Sequence, residues 1–184
     1  MRIRKINAVI AALIAIAIPT IIFAGPLSKD VPPDGVIAVP KNYDTEWVLL
    51  GTWSIADKEK AGAEGFHVVY TQPKTVAYFR ENGEFPDGAI LVKELRKTNT
   101  TQLTTGTVSW GSEITGWFVM IKDKKGRFTD NPLWGDGWGW AYFNFGEPNK
   151  TTTQNYRTEC IGCHIPAKGD DWIYVRGYPI LTRK

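Results

Sequence analysis

The stretch Cys160-Ile161-Gly162-Cys163-His164 constrains this chain more than any other. Cys-x-x-Cys-His is the attachment spacing of a c-type haem. Each thiol adds across one haem vinyl group, and two intervening residues let a single turn of chain reach both. The adjacent histidine then lies under the iron and offers an imidazole as axial ligand. Other chemistries also use a Cys-x-x-Cys pair. A thioredoxin-like redox pair follows a strand and opens a helix in a βαβ unit. Here the pair lies near the C-terminus of a chain with no βαβ pattern. A zinc site needs about four ligands. The chain has two cysteines and two histidines, so zinc would require His67 as its fourth ligand. One covalent haem c, held by Cys160 and Cys163 with His164 on the metal, is the favoured reading. A disulfide and a metal site are the alternatives.

Residues 1–24 read as a signal peptide. Arg2, Arg4 and Lys5 form a positive n-region, Ala8 to Phe23 is apolar apart from Pro19 and Thr20, and Ala24 suits cleavage. The run is short for a membrane span of roughly 20 apolar residues. Cleavage is therefore expected, with an uncleaved anchor as the alternative. Export agrees with the haem motif, because bacteria attach c-type haem outside the cytoplasm, and the expected location is periplasmic. The leader also explains the charge. The chain has 22 Lys+Arg against 19 Asp+Glu, and the leader holds three of the bases and no acid. The remaining residues 25–184 are formally neutral, which argues against nucleic acid or an anionic membrane surface as a partner.

That segment of about 160 residues is one domain, longer than wrapping a haem for electron transfer requires. Gly25 to Pro40 is an extended arm rich in proline and glycine. Glu46 to Trp53 is a short helix or a strand, which periodicity does not separate. Asp57 to Gly65 reads as a polar loop and His67 to Tyr70 as a strand. Pro73 to Glu81 is a helix with proline in its first turn, Val76, Ala77 and Phe79 towards the core, and Asn82-Gly83 as its stop. Phe85-Pro86-Asp87-Gly88 is a turn. Ala89 to Leu95 is a strand with Ile90 and Val92 on one face and Leu91, Lys93 and Leu95 on the other. Thr98 to Thr107 reads as a polar loop, Ile114 to Lys122 as a strand, and Asp123 to Pro132 as a charged loop. Trp138 to Phe145 is a strand apolar on both faces, hence expected to be central. A polar approach, Glu147 to Thr158, leads to the haem motif. Trp172 to Val175 is a possible last strand, and Tyr178 to Leu181 closes the chain. The fold class is α+β: a mainly antiparallel sheet with a few helices.

The second axial position decides what such a haem does. Two strong protein ligands make an electron carrier, whereas an open position binds small molecules. Outside the leader, the only strong candidates besides His164 are His67 and Met120. Met120 lies in an apolar strand and reads as core; His67 reads as pocket-lining before it reads as a ligand. An open distal side capped by apolar side chains follows. Lys93, between two leucines on one strand face, either extends its amine to solvent or brings it to the haem edge.

At these residues the chain resembles the cytochrome P-460 family, which includes cytochrome c′-beta. The resemblance runs in order through Pro40-Lys41-Asn42-Tyr43, Trp47-Val48, Val69-Tyr70, and Gly83 to Gly88 leading into Val92-Lys93-Glu94-Leu95. It continues through Val119 to Asp123, Arg127-Phe128, Trp140 to Phe145, the Cys160 to His164 motif and Tyr178-Pro179. It implies a small β-rich α+β fold, a homodimer and five-coordinate iron. In the lysine-cross-linked members a lysine bonded to the haem macrocycle accompanies hydroxylamine oxidation, with nitric oxide chemistry leading to nitrous oxide. Lys93 matches that lysine. Those members carry an arginine near the position of His67, and a distal carboxylate shortly before the first haem cysteine. Here that stretch is Gln154 to Glu159, so Glu159 and Glu113 are the carboxylates to consider.

Two functions from different classes follow. One is a periplasmic oxidoreductase acting on hydroxylamine, with Lys93 modifying the macrocycle, His67 relaying protons and a soluble electron-transfer cytochrome taking the electrons. The other is a nitric oxide-binding protein like cytochrome c′-beta. An electron carrier with His67 or Met120 as sixth ligand is a third.

Overall fold

Period-two alternation of apolar residues is realised as one antiparallel sheet in the computed structural model, which describes residues 30–182. The leader therefore lies outside the described residues. A helical turn, α1 (Tyr43–Glu46), enters strands β1 (Val48–Ala56) and β2 (Ala63–Thr71). Helix α2 (Pro73–Asn82) precedes β3 (Ile90–Leu103) and β4 (Gly106–Lys122). A two-residue strand β5 (Trp134–Gly135) and β6 (Trp138–Asn144) complete the sheet. Then come two helical turns, α3 (Tyr156–Glu159) and α4 (Ile161–His164), and a last turn α5 (Pro179–Thr182). The strand order is β1-β2-β3-β4-β6-β5, and every pairing is antiparallel.

Helix α2 starts and stops where its terminal residues dictate. Pro73 occupies the first turn, and Gly83 caps the end at φ 73°, its N–H donating to the Phe79 carbonyl. The buried Gln72 side chain joins this helix to the sheet. Its Oε1 accepts from the Ile90 N–H at 2.9 Å, and its Nε2 donates to the Gly88 carbonyl at 3.2 Å. Val76 and Thr75 are buried, whereas Ala77 is exposed. The expected inward face is thus rotated towards Thr75, which hydrogen-bonds Gln72.

Several sequence expectations change. Glu46 to Trp53 divides into the end of a helical turn and the start of a strand. Asp57 to Gly65 is a loop only as far as Gly62, because Ala63–Gly65 already pair with β1. Thr98 to Thr107 is not a loop. Beyond Lys97, β3 pairs with β4 alone and forms a two-stranded ribbon. Its threonines are β-branched and suit strands, and the Thr100 and Ser109 hydroxyls bond each other across it at 2.7 Å. The ribbon is polar because both its faces meet solvent. Trp172 to Val175 is not a strand; it is a turn running into a 3-10 helix at Val175–Gly177. Strand β6 is covered on both faces as expected, yet it lies next to the two-residue β5 rather than centrally.

Each face of the sheet carries its own core. On one, the arm residues Val31, Ile37 and Val39 join Tyr43, Ile90, Val92, Val119, Ala141 and Phe143. On the other, α2 and the C-terminal segment cover Val69, Leu91, Met120, Trp138 and Trp140. The C-terminal segment comes close enough that a Cβ at Gly177 would overlap the Trp53 indole. Glu94 is fully buried within the arm-side core. Its carboxylate accepts from the Tyr43 hydroxyl and from Arg96 Nε, both at 2.6 Å. The Tyr43 oxygen in turn accepts from Trp117 Nε1 at 2.7 Å.

Tyr43→Phe removes the hydroxyl that serves both Glu94 and Trp117. It is expected to lower unfolding free energy by about 1–3 kcal/mol, since two buried polar groups lose a partner. Arg96→Met, which strips the cation from a buried carboxylate, is expected to cost about 3 kcal/mol or more. Urea unfolding of each variant against a Thr100→Ala control checks both.

Candidate functional site

The haem motif is presented by two consecutive helical turns, the first of them locked at its start. The Asn155 side chain accepts from the Arg157 N–H at 2.9 Å. Glu159 Oε1 accepts from the Gln154 and Asn155 N–H groups at 2.9 and 2.8 Å. Tyr156 fixes the pair to the sheet. Its ring stacks on Trp140 at 5.8 Å and 11°, and its hydroxyl donates to Asp136 at 2.8 Å. Cys160 is buried, Cys163 is exposed, and both thiols are free. The disulfide is therefore not formed. Among the described residues no three His, Cys, Asp or Glu side chains cluster as metal ligands, so the four-ligand site through His67 is not assembled either.

Opposite the motif stands the second face of the sheet, and register decides its content. Trp53 pairs with His67, Val69 with Lys93, Lys93 with Phe118, and Met120 with Trp140. These side chains share one face and line a cavity of about 300 Å³ with Cys160, Cys163, His164, Tyr174 and Tyr178. The structure thus brings together Cys160, Cys163, His164, Lys93 and His67 around one cavity. Met120 is buried in the wall of the same cavity.

The His164 ring is held from three sides. Its Nδ1 lies 2.6 Å from the Trp172 carbonyl oxygen. Since a carbonyl only accepts, Nδ1 carries the proton and Nε2 is left with its lone pair. Trp140 meets the ring edge-on at 5.0 Å, and Tyr174 tilts against it at 6.1 Å. An imidazole oriented through its other nitrogen by a carbonyl is the arrangement metal-bound histidines adopt. Two free thiols at the attachment spacing border the same apolar cavity. This donor set fits a c-type haem.

Lys93 extends its amine over the Phe118 ring, with Nζ 4.3 Å from the centroid. Among the described residues no carboxylate forms an ion pair with it. Burial pulls its pKa below the ordinary lysine value, because the ammonium loses hydration and a ring face replaces little of it. His67 is held below the ordinary imidazole value, first by burial and then by the Lys93 charge. Burial, with a contribution from the Glu159 carboxylate, pushes the Cys160 thiol up to about 11.

Neither carboxylate considered from sequence is free to act in the cavity. Glu159 borders it but is engaged as a backbone cap. Glu113 is exposed and pairs with Lys97 at 2.9 Å. Sequence reasoning also missed the Trp172 carbonyl and the walls supplied by Trp53, Tyr174 and Tyr178, which follow from the path of the C-terminal segment. Glu94 was within reach, since strand alternation puts a carboxylate on the Ile90 and Val92 face.

The depressed His67 pKa has a defined effect on stability. In the unfolded chain this imidazole gains its proton near pH 6.5, while in the fold it stays neutral to lower pH. The unfolded state therefore binds the extra proton first, and stability falls as pH drops below about 6.5 until the folded-state pKa is passed. His67→Gln is expected to flatten this part of the profile. Denaturant midpoints at about pH 7.5 and about pH 5 for both proteins measure it.

Residues 40–175 match the family model described as cytochrome P460. No curated protein sequence matches the chain.

Proposed function

The chain belongs to the cytochrome P460 family; starting from that membership, we propose that it carries one covalent haem c and oxidises hydroxylamine. The observation that supports this reading is a single cavity gathering Cys160, Cys163 and His164 against Lys93 and His67. In this proposal Cys160 and Cys163 would hold the haem as thioethers, and His164 would offer Nε2 to its iron. When bound, the haem supplies an iron that takes a small nitrogen ligand and accepts its electrons.

The remaining roles fall to side chains of this chain. His67, neutral at neutral pH because it is desolvated, accepts a proton released as the substrate nitrogen is oxidised. It takes the role that a carboxylate would fill, because Glu159 is occupied with backbone N–H groups. Lys93, whose amine is desolvated and free of any carboxylate partner among the described residues, is the group proposed to bond the haem edge, its N–C bond replacing a macrocycle C–H while two electrons and two protons pass to a peroxide oxidant. A lowered pKa leaves a larger fraction of the lysine as the free amine, the form that can act as a nucleophile. Trp53, Val69, Leu91 and Phe118 give the cavity apolar walls that limit water around a small substrate. A soluble electron-transfer cytochrome is the proposed electron acceptor, with the protein acting in the periplasm as a homodimer.

A second reading, nitric oxide binding without turnover, is favoured by one observation: the cavity walls are mostly apolar, and among the described residues the carboxylate lining it, Glu159, is committed to backbone N–H groups. The two readings separate in one set of measurements. Under the first, the purified protein consumes hydroxylamine with a cytochrome acceptor, and a tryptic mass map joins the Lys93 peptide to the haem peptide. His67→Gln then retains its haem and loses about 100-fold or more in kcat. Lys93→Met gives an ordinary c-type reduced spectrum. Nitric oxide binding without hydroxylamine consumption by the parent protein would establish the second reading instead.

A further inference from the structure

The carbonyl that orients His164 belongs to a strained turn, and the sheet grips that turn from behind. After His164 the chain runs through a 3-10 helix, Ile165–Asp170, and doubles back at Asp171 and Trp172. Both residues have positive φ, 57° and 67°. Aspartate tolerates this region; a bulky tryptophan does so only where its surroundings impose it. Two groups impose it here. Lys122 Nζ donates to Asp171 Oδ1 at 2.7 Å. Trp138 Nε1 donates to the Asp171 main-chain oxygen at 3.0 Å.

Lys122 and Trp138 face each other across the β4–β6 ladder, so both come from a single rung of the sheet. The Lys122 side chain is only 8 % exposed, and its ammonium also lies 4.8 Å from the centre of the Trp138 ring. Nothing in the proposed chemistry uses this buried cation. Its position explains it: the rung clamps Asp171, and the next residue aims its carbonyl at His164 Nδ1 from 2.6 Å.

We propose that Lys122 and Trp138 are positioning residues for the axial histidine, acting through Asp171 and the Trp172 carbonyl. The inference rests on the proposed haem c with His164 as its ligand. A short hydrogen bond from Nδ1–H makes the imidazole a stronger donor at Nε2. Loosening the clamp lengthens that bond, weakens donation to the iron and disfavours its oxidised form.

The experiment compares the holoprotein with Lys122→Met, Lys122→Arg and Asp171→Asn. It reads the iron–histidine stretching band of the reduced protein by resonance Raman spectroscopy, and the midpoint potential. Lys122→Met and Asp171→Asn are expected to retain covalent haem, with the band shifted down in frequency and the potential shifted up. Lys122→Arg, which keeps the cation, is expected to restore both towards the parent values. A purely structural clamp would lower thermal stability and leave band and potential at parent values, and that result overturns the proposal. Asparagine accepts positive φ, so Asp171→Asn decides the matter if Lys122→Met does not fold. An iron–histidine band that survived unchanged in His164→Met would overturn the assignment of His164 itself, which separates that failure from failure of the clamp.

Discussion

Burial on both faces of the paired strands β3 and β4 is the constraint on which the molecule depends. Val92 and Val119 are fully buried on the arm side, while Leu91 and Met120 are buried on the cavity side. With side chains alternating at period two, a slip of one residue would exchange the two faces completely. Lys93 would enter the arm-side core, and Glu94 would enter the cavity. The apolar demand of two cores therefore sets which charge faces the haem motif, and no local property of Lys93 or Glu94 does so.

These adjacent residues show how environment assigns roles. Glu94 is buried but served by Tyr43 and Arg96, so its charge is compensated and its part is structural. Lys93 has an aromatic face beside it and no ion-pair partner among the described residues. A buried charge with its hydrogen bonds satisfied is compensated, whereas a desolvated amine without a counterion is held below the ordinary lysine value. The sheet thus separates a compensated ion network from a desolvated amine without an ion-pair partner among the described residues by the thickness of one strand.

The haem motif shows the complementary situation. Four-residue helical turns have little stability of their own, because helix nucleation is unfavourable. Capping by Asn155 and Glu159, stacking of Tyr156 on Trp140, and the grip on Asp171 supply what propensity lacks. The positive φ at Trp172 persists because these contacts over-determine the segment.

Much of this architecture was readable in the residues. Pro73 and Gly83 delimited α2, the alternation in Ala89 to Leu95 and Trp138 to Phe145 assigned faces, and Cys-x-x-Cys-His with the lysine between two leucines marked the site. These signals are local: a turn needs its proline or glycine, and a face needs its period. The threonine ribbon was misread because polarity resembles a loop wherever a strand pair meets solvent on both sides. Trp172 to Val175 was misread because apolar content does not report a positive φ. Which of His67, Glu113 and Glu159 faces the cavity, and which atom orients His164, were decided only by tertiary structure. Those outcomes depend on pairing across long separations and on where the C-terminal segment crosses β1, which no neighbouring residue encodes.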